Sequence, residues 1–220
     1  MAMALREETI VQQYESDFGT EVFEFGISEY LNIPRMQGII DAFLAVRKLP
    51  GDVAEFGIAR GETLRQLGLF MKANGIKKAL HAFDTFTGLP EPEPVDNQSI
   101  HLVTGLYRHP VSEVMTYLND CDVVVIHEGH IKNTGPSFKK PLCFAAIDCD
   151  LYAGTYAALQ VCGRVIGKGG VIVLDDYETS WEGVTAAVQK WWGAGKKGWR
   201  MERPVYNPGL HPGQLRFWRE

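Results

Sequence analysis

Acidic residues recur along this chain at one kind of position, just past a short apolar run. Glu55 stands in DVAEFGI, Asp84 ends ALHAFD and Glu128 ends the run in DVVVIHEG; Asp148 and Asp150 follow PLCFAAI, and Asp175-Asp176 follow VIVL. Carboxylates gathered in a cleft repel one another unless a cation sits among them or protons are taken up. A hard divalent ion such as Mg2+ takes oxygen ligands and keeps positions open for substrate oxygens. Asp148, Asp175 and Asp176 form the natural ligand set, each lying immediately beyond an apolar run, and Asp150 is a candidate base. Singly, these acids have a plainer use. Asp150 can cap a helix starting near Ala153, and Asp176 one starting near Trp181. Caps account poorly for all four together.

A second constellation lies upstream. AEFGIARGETL puts Gly57 and Gly61 in a turn after Glu55, with Arg60 between them. Glycine tolerates positive φ and lets a ligand approach the backbone, and a helix starting near Gly61 would aim its amides at that ligand. The spacing is E-x-G-x-x-x-G, neither the G-x-G-x-x-G of dinucleotide binders nor a phosphate loop with its Lys-Ser/Thr ending. It suits a phosphate-free cofactor presenting a carboxylate and an amine; a tight structural turn reads the same way. Asp84, followed by Thr85, is placed to accept from ribose hydroxyls, or else to form an Asx turn for FTGLP. Gly129-His130 follows the third run, where an adenine would lie; a surface histidine is the equal alternative. G-x-S-x-G and H-E-x-x-H are absent.

The elements that must hold these residues alternate. Strands are expected over 52–58, 79–84, 122–129, 141–148 and 171–176, with helices at 61–75, in PVSEVMTYLND, from Ala153 to Ile166 and in WEGVTAAVQKWWGAG. Such alternation means a mostly parallel sheet covered on both faces, whose ligands bind beyond the carboxyl ends of its strands. GWRMERPVY and GQLRFWRE, joined by YNPGLHPG, read as an antiparallel edge pair. The first fifty residues read as helical, most clearly from Ile33 to Leu49, with Pro34 early in the helix and Pro50-Gly51 ending it. This segment and the irregular 85–110 stretch are candidate lids.

The 220 residues fit one large domain, and 45% hydrophobic content supplies a core. A net charge of −5 without a basic block argues against a nucleic-acid partner. No run nears the roughly 18 apolar residues of a membrane span and no apolar leader opens the chain, so a cytoplasmic location is expected. Cys121, Cys143, Cys149 and Cys162 lack C-x-x-C spacing and read as buried reduced thiols.

In order, GDVAEFGIARG, FDTFTGLP, EGHIKNTGP, IDCDLYAGTYAALQ and GKGGVIVLDDYETSWEGVTAAV resemble the macrocin O-methyltransferase (TylF-type) family over roughly residues 51–190. The resemblance implies a Rossmann-like class I α/β fold with a seven-stranded, mostly parallel sheet. It implies a methyltransferase domain over 51–220 behind an N-terminal helical lid or extension over 1–50. It further implies bound S-adenosylmethionine and a divalent metal, usually Mg2+. By motif position, Glu55, Gly57 and Gly61, with Arg60 between them, would face the methionine part of the cofactor. Asp84 and Thr85 would face its ribose, and Gly129 and His130 its adenine, where the family often has an aromatic residue. Asp148, Asp175 and Asp176 would hold the metal, Asp148 also bordering the cofactor, with Asp148 or Asp150 as general base. The implied acceptor is a hydroxyl of a sugar or glycosylated natural product; a homo-oligomer is compatible. Competing readings are a catechol or phenolic O-methyltransferase on the same metal, and a non-catalytic cofactor-fold protein. Glycine spacing and the lack of Tyr-x-x-x-Lys after the fourth strand disfavour a nicotinamide-dependent reductase. Trp181 reads as core packing, or as lining an acceptor pocket.

Overall fold

The computed structural model describes residues 9–16, 19–26, 33–96, 104–204 and 213–220. Its main sheet forms because the apolar runs have two faces to bury. In β3 (Asp52–Phe56), Val53 faces one core, and Ala54 and Phe56 face the other. β4 (Leu80–Asp84) alternates likewise, and β6 (Leu142–Ile147) does so from Phe144 onward, after a register shift between Leu142 and Phe144. Strands buried on both faces read as continuous apolar runs, as a parallel sheet requires.

Seven strands lie in the order β5-β4-β3-β6-β7-β9-β8. β5 is Val124–Glu128, β7 Ile166–Leu174, β8 Trp199–Glu202 and β9 Leu215–Arg219. The first five are parallel; β9 runs antiparallel to both β7 and β8, as the C-terminal segments led one to expect. α1 (Ile33–Val46), α2 (Glu62–Ala73) and α3 (Val111–Tyr117) cover one face. α4 (Ile131–Thr134), α5 (Tyr152–Val165) and α6 (Glu182–Gly193) cover the other. Among the described residues, no helix is long and apolar enough to cross a membrane.

Two expectations are corrected at the N-terminus. The first fifty residues are not all helical: β1 (Thr9–Ser16) and β2 (Gly19–Gly26) pair antiparallel as a separate two-stranded sheet. TIVQQYES and GTEVFEFG are rich in Thr, Ile, Val, Phe and Tyr, residues that favour a pleated surface. α1, expected as part of a lid, belongs to the core instead: Met36, Ile40 and Phe43 are almost wholly buried there. β7 also starts five residues early, because Gly167-Lys168-Gly169-Gly170 continues the strand from α5 without a loop. The YNPGLHPG connection lies outside the described residues, except for Gly213.

Candidate active site

From β3 the chain passes to β4 and β5 on one side and to β6 and β7 on the other, so a crevice opens beyond β3 and β6. A cavity of about 630 Å3 occupies it. Every residue proposed for the cofactor or the metal lines this cavity, except Gly61 and Gly129 beside it.

The β3–α2 turn is built by positive φ at Gly57 (79°), Ala59 (46°) and Gly61 (96°). A Cβ on Gly57 would stand 1.9 Å from the Asp148 carbonyl oxygen, so this glycine is required first by the close approach of β6. Asp84 braces the turn from β4. Its carboxylate accepts from the backbone N–H groups of Ile58 (2.9 Å), Ala59 (3.1 Å) and Phe86 (2.8 Å). The Asx turn is therefore real, and of about four acceptor positions on a carboxylate one is left for a ligand. The Thr85 hydroxyl donates to the Gly88 carbonyl at 2.7 Å. Gly129 takes φ of 125°, and His130 caps α4 through Nδ1 while its ring borders the cavity. Burial, then the charge of Lys132, lowers the His130 pKa. Arg60 lies over the Tyr117 ring at 4.4 Å.

Glu55 is the chemically exposed member of this turn, although only 2% of its surface is accessible. Its Oε2 has no hydrogen-bond partner, and burial pushes the carboxyl up to about 8, against the pull of Arg35. Thr63 hydrogen-bonds the same carboxyl, so the unsatisfied Oε2 is the oxygen left for a cationic donor.

Arg35, from α1, donates through Nε to Asp175, through Nη2 to Asp148 and through Nη1 to the Thr63 hydroxyl at 3.1 Å. Burial alone would lower its pKa, but Asp148, Asp175 and Glu55 outweigh burial and raise it. One signal was available: Arg35 shares a helical face with Ile39, Ala42 and Phe43, all buried. A charge inside such a stripe needs a buried partner.

One oxygen each from Asp148, Asp150 and Asp176 lie within 4.8 Å of one another. Of the expected trio, Asp175 instead puts its carboxylate on Arg35, and Asp150 joins the cluster in its place. Neither Asp150 nor Asp176 caps a helix: Leu151 and Trp181 occupy the cap positions of α5 and α6, with no side-chain cap bond. Both aspartates hold left-handed backbone, φ 58° and 64°. Burial, then the charges of Asp148, Asp176 and Asp175, raises the Asp150 carboxyl well above the carboxylate range. Such a cluster fits a bound divalent cation. Trp181 borders the cavity and packs against the second core. All four cysteines are free thiols, Cys143 and Cys162 buried.

A model of the macrocin-O-methyltransferase (TylF) family matches residues 26–202. The chain belongs to that family. As a member, it is 28% identical over 140 residues to 8-demethyl-8-(2,3-dimethoxy-alpha-L-rhamnosyl)-tetracenomycin-C 4'-O-methyltransferase of Streptomyces olivaceus, a match covering 59% of this chain and 54% of that relative. The chain thus spans about half the length of that relative. Its fold is that of the O-methyltransferase NovP (TM-score 0.75, 20% identity, 85% of this chain and 80% of that one). The calicheamicin methyltransferase CalS11 shares it (TM-score 0.64, 22% identity, 84% and 77%). The Rossmann-like methyltransferase fold expected from the sequence is the fold observed.

Proposed function

We propose that this family member transfers a methyl group from S-adenosylmethionine to a hydroxyl of a sugar or glycosylated natural product, assisted by a divalent cation such as Mg2+. The observation that carries the reading is the presence of two features in one crevice: the buried Glu55 carboxyl beside a glycine turn, its Oε2 without a hydrogen-bond partner, and the converging carboxylates of Asp148, Asp150 and Asp176. The acceptor class follows the rhamnosyl substrate in the Streptomyces olivaceus relative's name.

Glu55, Gly57, Arg60 and Gly61 hold the methionine end of the cofactor, Glu55 accepting from its ammonium. Asp84, with its one remaining acceptor position, and Thr85 take the ribose; Gly129 and His130 border the adenine. The cofactor supplies its methyl on a sulfonium, already activated, so the protein's task is chiefly positioning. Asp148 and Asp176 are common to the strand-end set and the geometric cluster, and would hold the cation. The cation, when bound, supplies a positive charge that eases ionisation of a nearby hydroxyl. Asp150 takes the acceptor's proton, its raised pKa suiting a carboxyl that must accept one. Arg35 keeps Asp148 and Asp175 apart from mutual repulsion.

The test offers S-adenosylmethionine with a panel of rhamnosides and catechols and reads the products by mass spectrometry. Addition of one methyl to a glycoside is expected. Transfer to catechols alone would move the acceptor to the phenolic class. No transfer, with no cofactor binding by calorimetry, would make the chain a non-catalytic binding protein.

A further inference from the structure

Asp96 sits in the irregular stretch after β4, far in sequence from any strand tip. It is 3% exposed, while its neighbour Val95 is 38% exposed. Its Oδ1 accepts from the Tyr152 backbone N–H at 2.8 Å, and its Oδ2 from the Glu93 N–H at 2.8 Å. Tyr152 opens α5, two residues after Asp150, and Asp96 supplies the acceptor that the Leu151 cap position lacks. Gly183, in the first turn of α6, completes the seat. A Cβ there would stand 1.8 Å from Asp96 Oδ1 and 2.9 Å from the Tyr152 nitrogen. One carboxylate is therefore lodged where two helices begin, in a space that exists because residue 183 has no side chain. An anion suits both helix starts.

Each helix follows a carboxylate-bearing strand tip: α5 follows Asp148 and Asp150, and α6 follows Asp175, Asp176 and Trp181. The stretch that carries Asp96 also forms a wall of the cavity through Leu89, Pro90, Leu106 and Tyr107. Its two arms are paired, the Leu89 N–H donating to Leu106 and the Gly105 N–H to Leu89, both at 2.8 Å. Its root is held by Asp84, which accepts from the Phe86 N–H. Asp96 is the second anchor of this wall, and it is fastened to the backbone that carries the acidic cluster.

We propose that Asp96 is a positioning residue, a latch that sets the wall formed by Leu89, Pro90, Leu106 and Tyr107 against the Asp148–Asp150 turn and thereby determines how tightly the acceptor is bound. This rests on the reading that the cavity takes S-adenosylmethionine and a hydroxylated acceptor. Asp96→Ala empties the seat, Gly183→Ala fills it from the other side, and Asp96→Asn keeps an oxygen for the Tyr152 N–H. Losing the bonds of a buried carboxylate should raise the acceptor KM about tenfold in D96A and G183A. The S-adenosylmethionine KM should stay within about threefold, since neither variant touches the groups that meet the cofactor. D96N, which keeps the Tyr152 bond but turns its amide nitrogen on the Glu93 N–H, should fall between wild type and D96A. Trypsin cleavage after the exposed Arg108, followed by mass spectrometry, should be faster in D96A and G183A than in wild type or D96N. Unchanged acceptor KM and cleavage in both variants would overturn the latch. So would equal losses in kcat and both KM values that track a lowered Tm. If wild type methylates no hydroxyl compound, the functional reading fails, while the cleavage rates still decide whether Asp96 holds the wall.

Discussion

Asp150 and Asp176 adopt a backbone conformation that L-residues with side chains avoid, at a cost of about 1–3 kcal/mol each. Strain of this kind persists where the surroundings over-determine it, and here it turns two carboxyls toward Asp148. Asp150→Asn should lower methyl transfer by roughly 10^2-fold to 10^4-fold, with cofactor affinity by calorimetry unchanged. Without a cation, burial and the neighbouring aspartates hold the Asp150 carboxyl above the ordinary carboxylate range, and a bound cation would draw it back toward that range. The rate should therefore rise with pH on the acid limb, and D150N should lose that limb. Arg35 makes a second prediction. Arg35→Met leaves Asp148, Asp175 and Glu55 facing one another, and breaking a buried ion pair costs about 3–5 kcal/mol, to be read from urea unfolding. Arg35→Lys should recover only part, since an ammonium cannot fork between two carboxylates. The aspartates were legible because each follows an apolar run; Arg35 was not, because its partners lie 113 and 140 residues away. Nothing local in IPRMQG says where α1 docks.

At the scale of elements, legibility followed burial. Runs such as LCFAAI and VIVL declare themselves because both faces of the sheet are covered. The β1–β2 pair is masked in the sequence by the strong helical period that follows it from Ile33, although its own residues have high β-propensity. α4, only four residues long, has too little length to show a period. The reassignment of α1 from lid to core has a measurable consequence. Phe43 is fully buried and meets Phe70 and Phe144 edge-on at 6.0 and 5.6 Å. Phe43→Ala should cost about 3–5 kcal/mol in chemical denaturation, as for a core aromatic and unlike a lid residue. A loss below about 1 kcal/mol would return α1 to the surface.

At the scale of the whole molecule, stability should depend on pH through an imidazole pair, His81 buried and His127 partly so. His81 Nδ1 lies 3.0 Å from His127 Nε2, and His81 Nε2 lies 3.3 Å from Asp52. Burial, then the neighbouring His81, lowers His127 to about 4, and burial lowers His81 as well. The unfolded chain takes up these protons near pH 6.5, before the folded chain does. Stability should thus be fully present above about pH 6.5 and fall as pH drops toward 4. His127→Gln should flatten the Tm profile across that window.

The same whole-molecule view joins the cofactor end of the crevice to its acidic end through one claim, that the carboxylates at the tips of β6 and β7 work on a divalent cation. The measurement that meets this claim most directly is the rate of methyl transfer to the glycoside found by the acceptor screen, in enzyme stripped with EDTA and then given Mg2+. Transfer should vanish on stripping and return with Mg2+ in wild type, and should not return in Asp176→Asn. Undiminished transfer in EDTA would contradict the account.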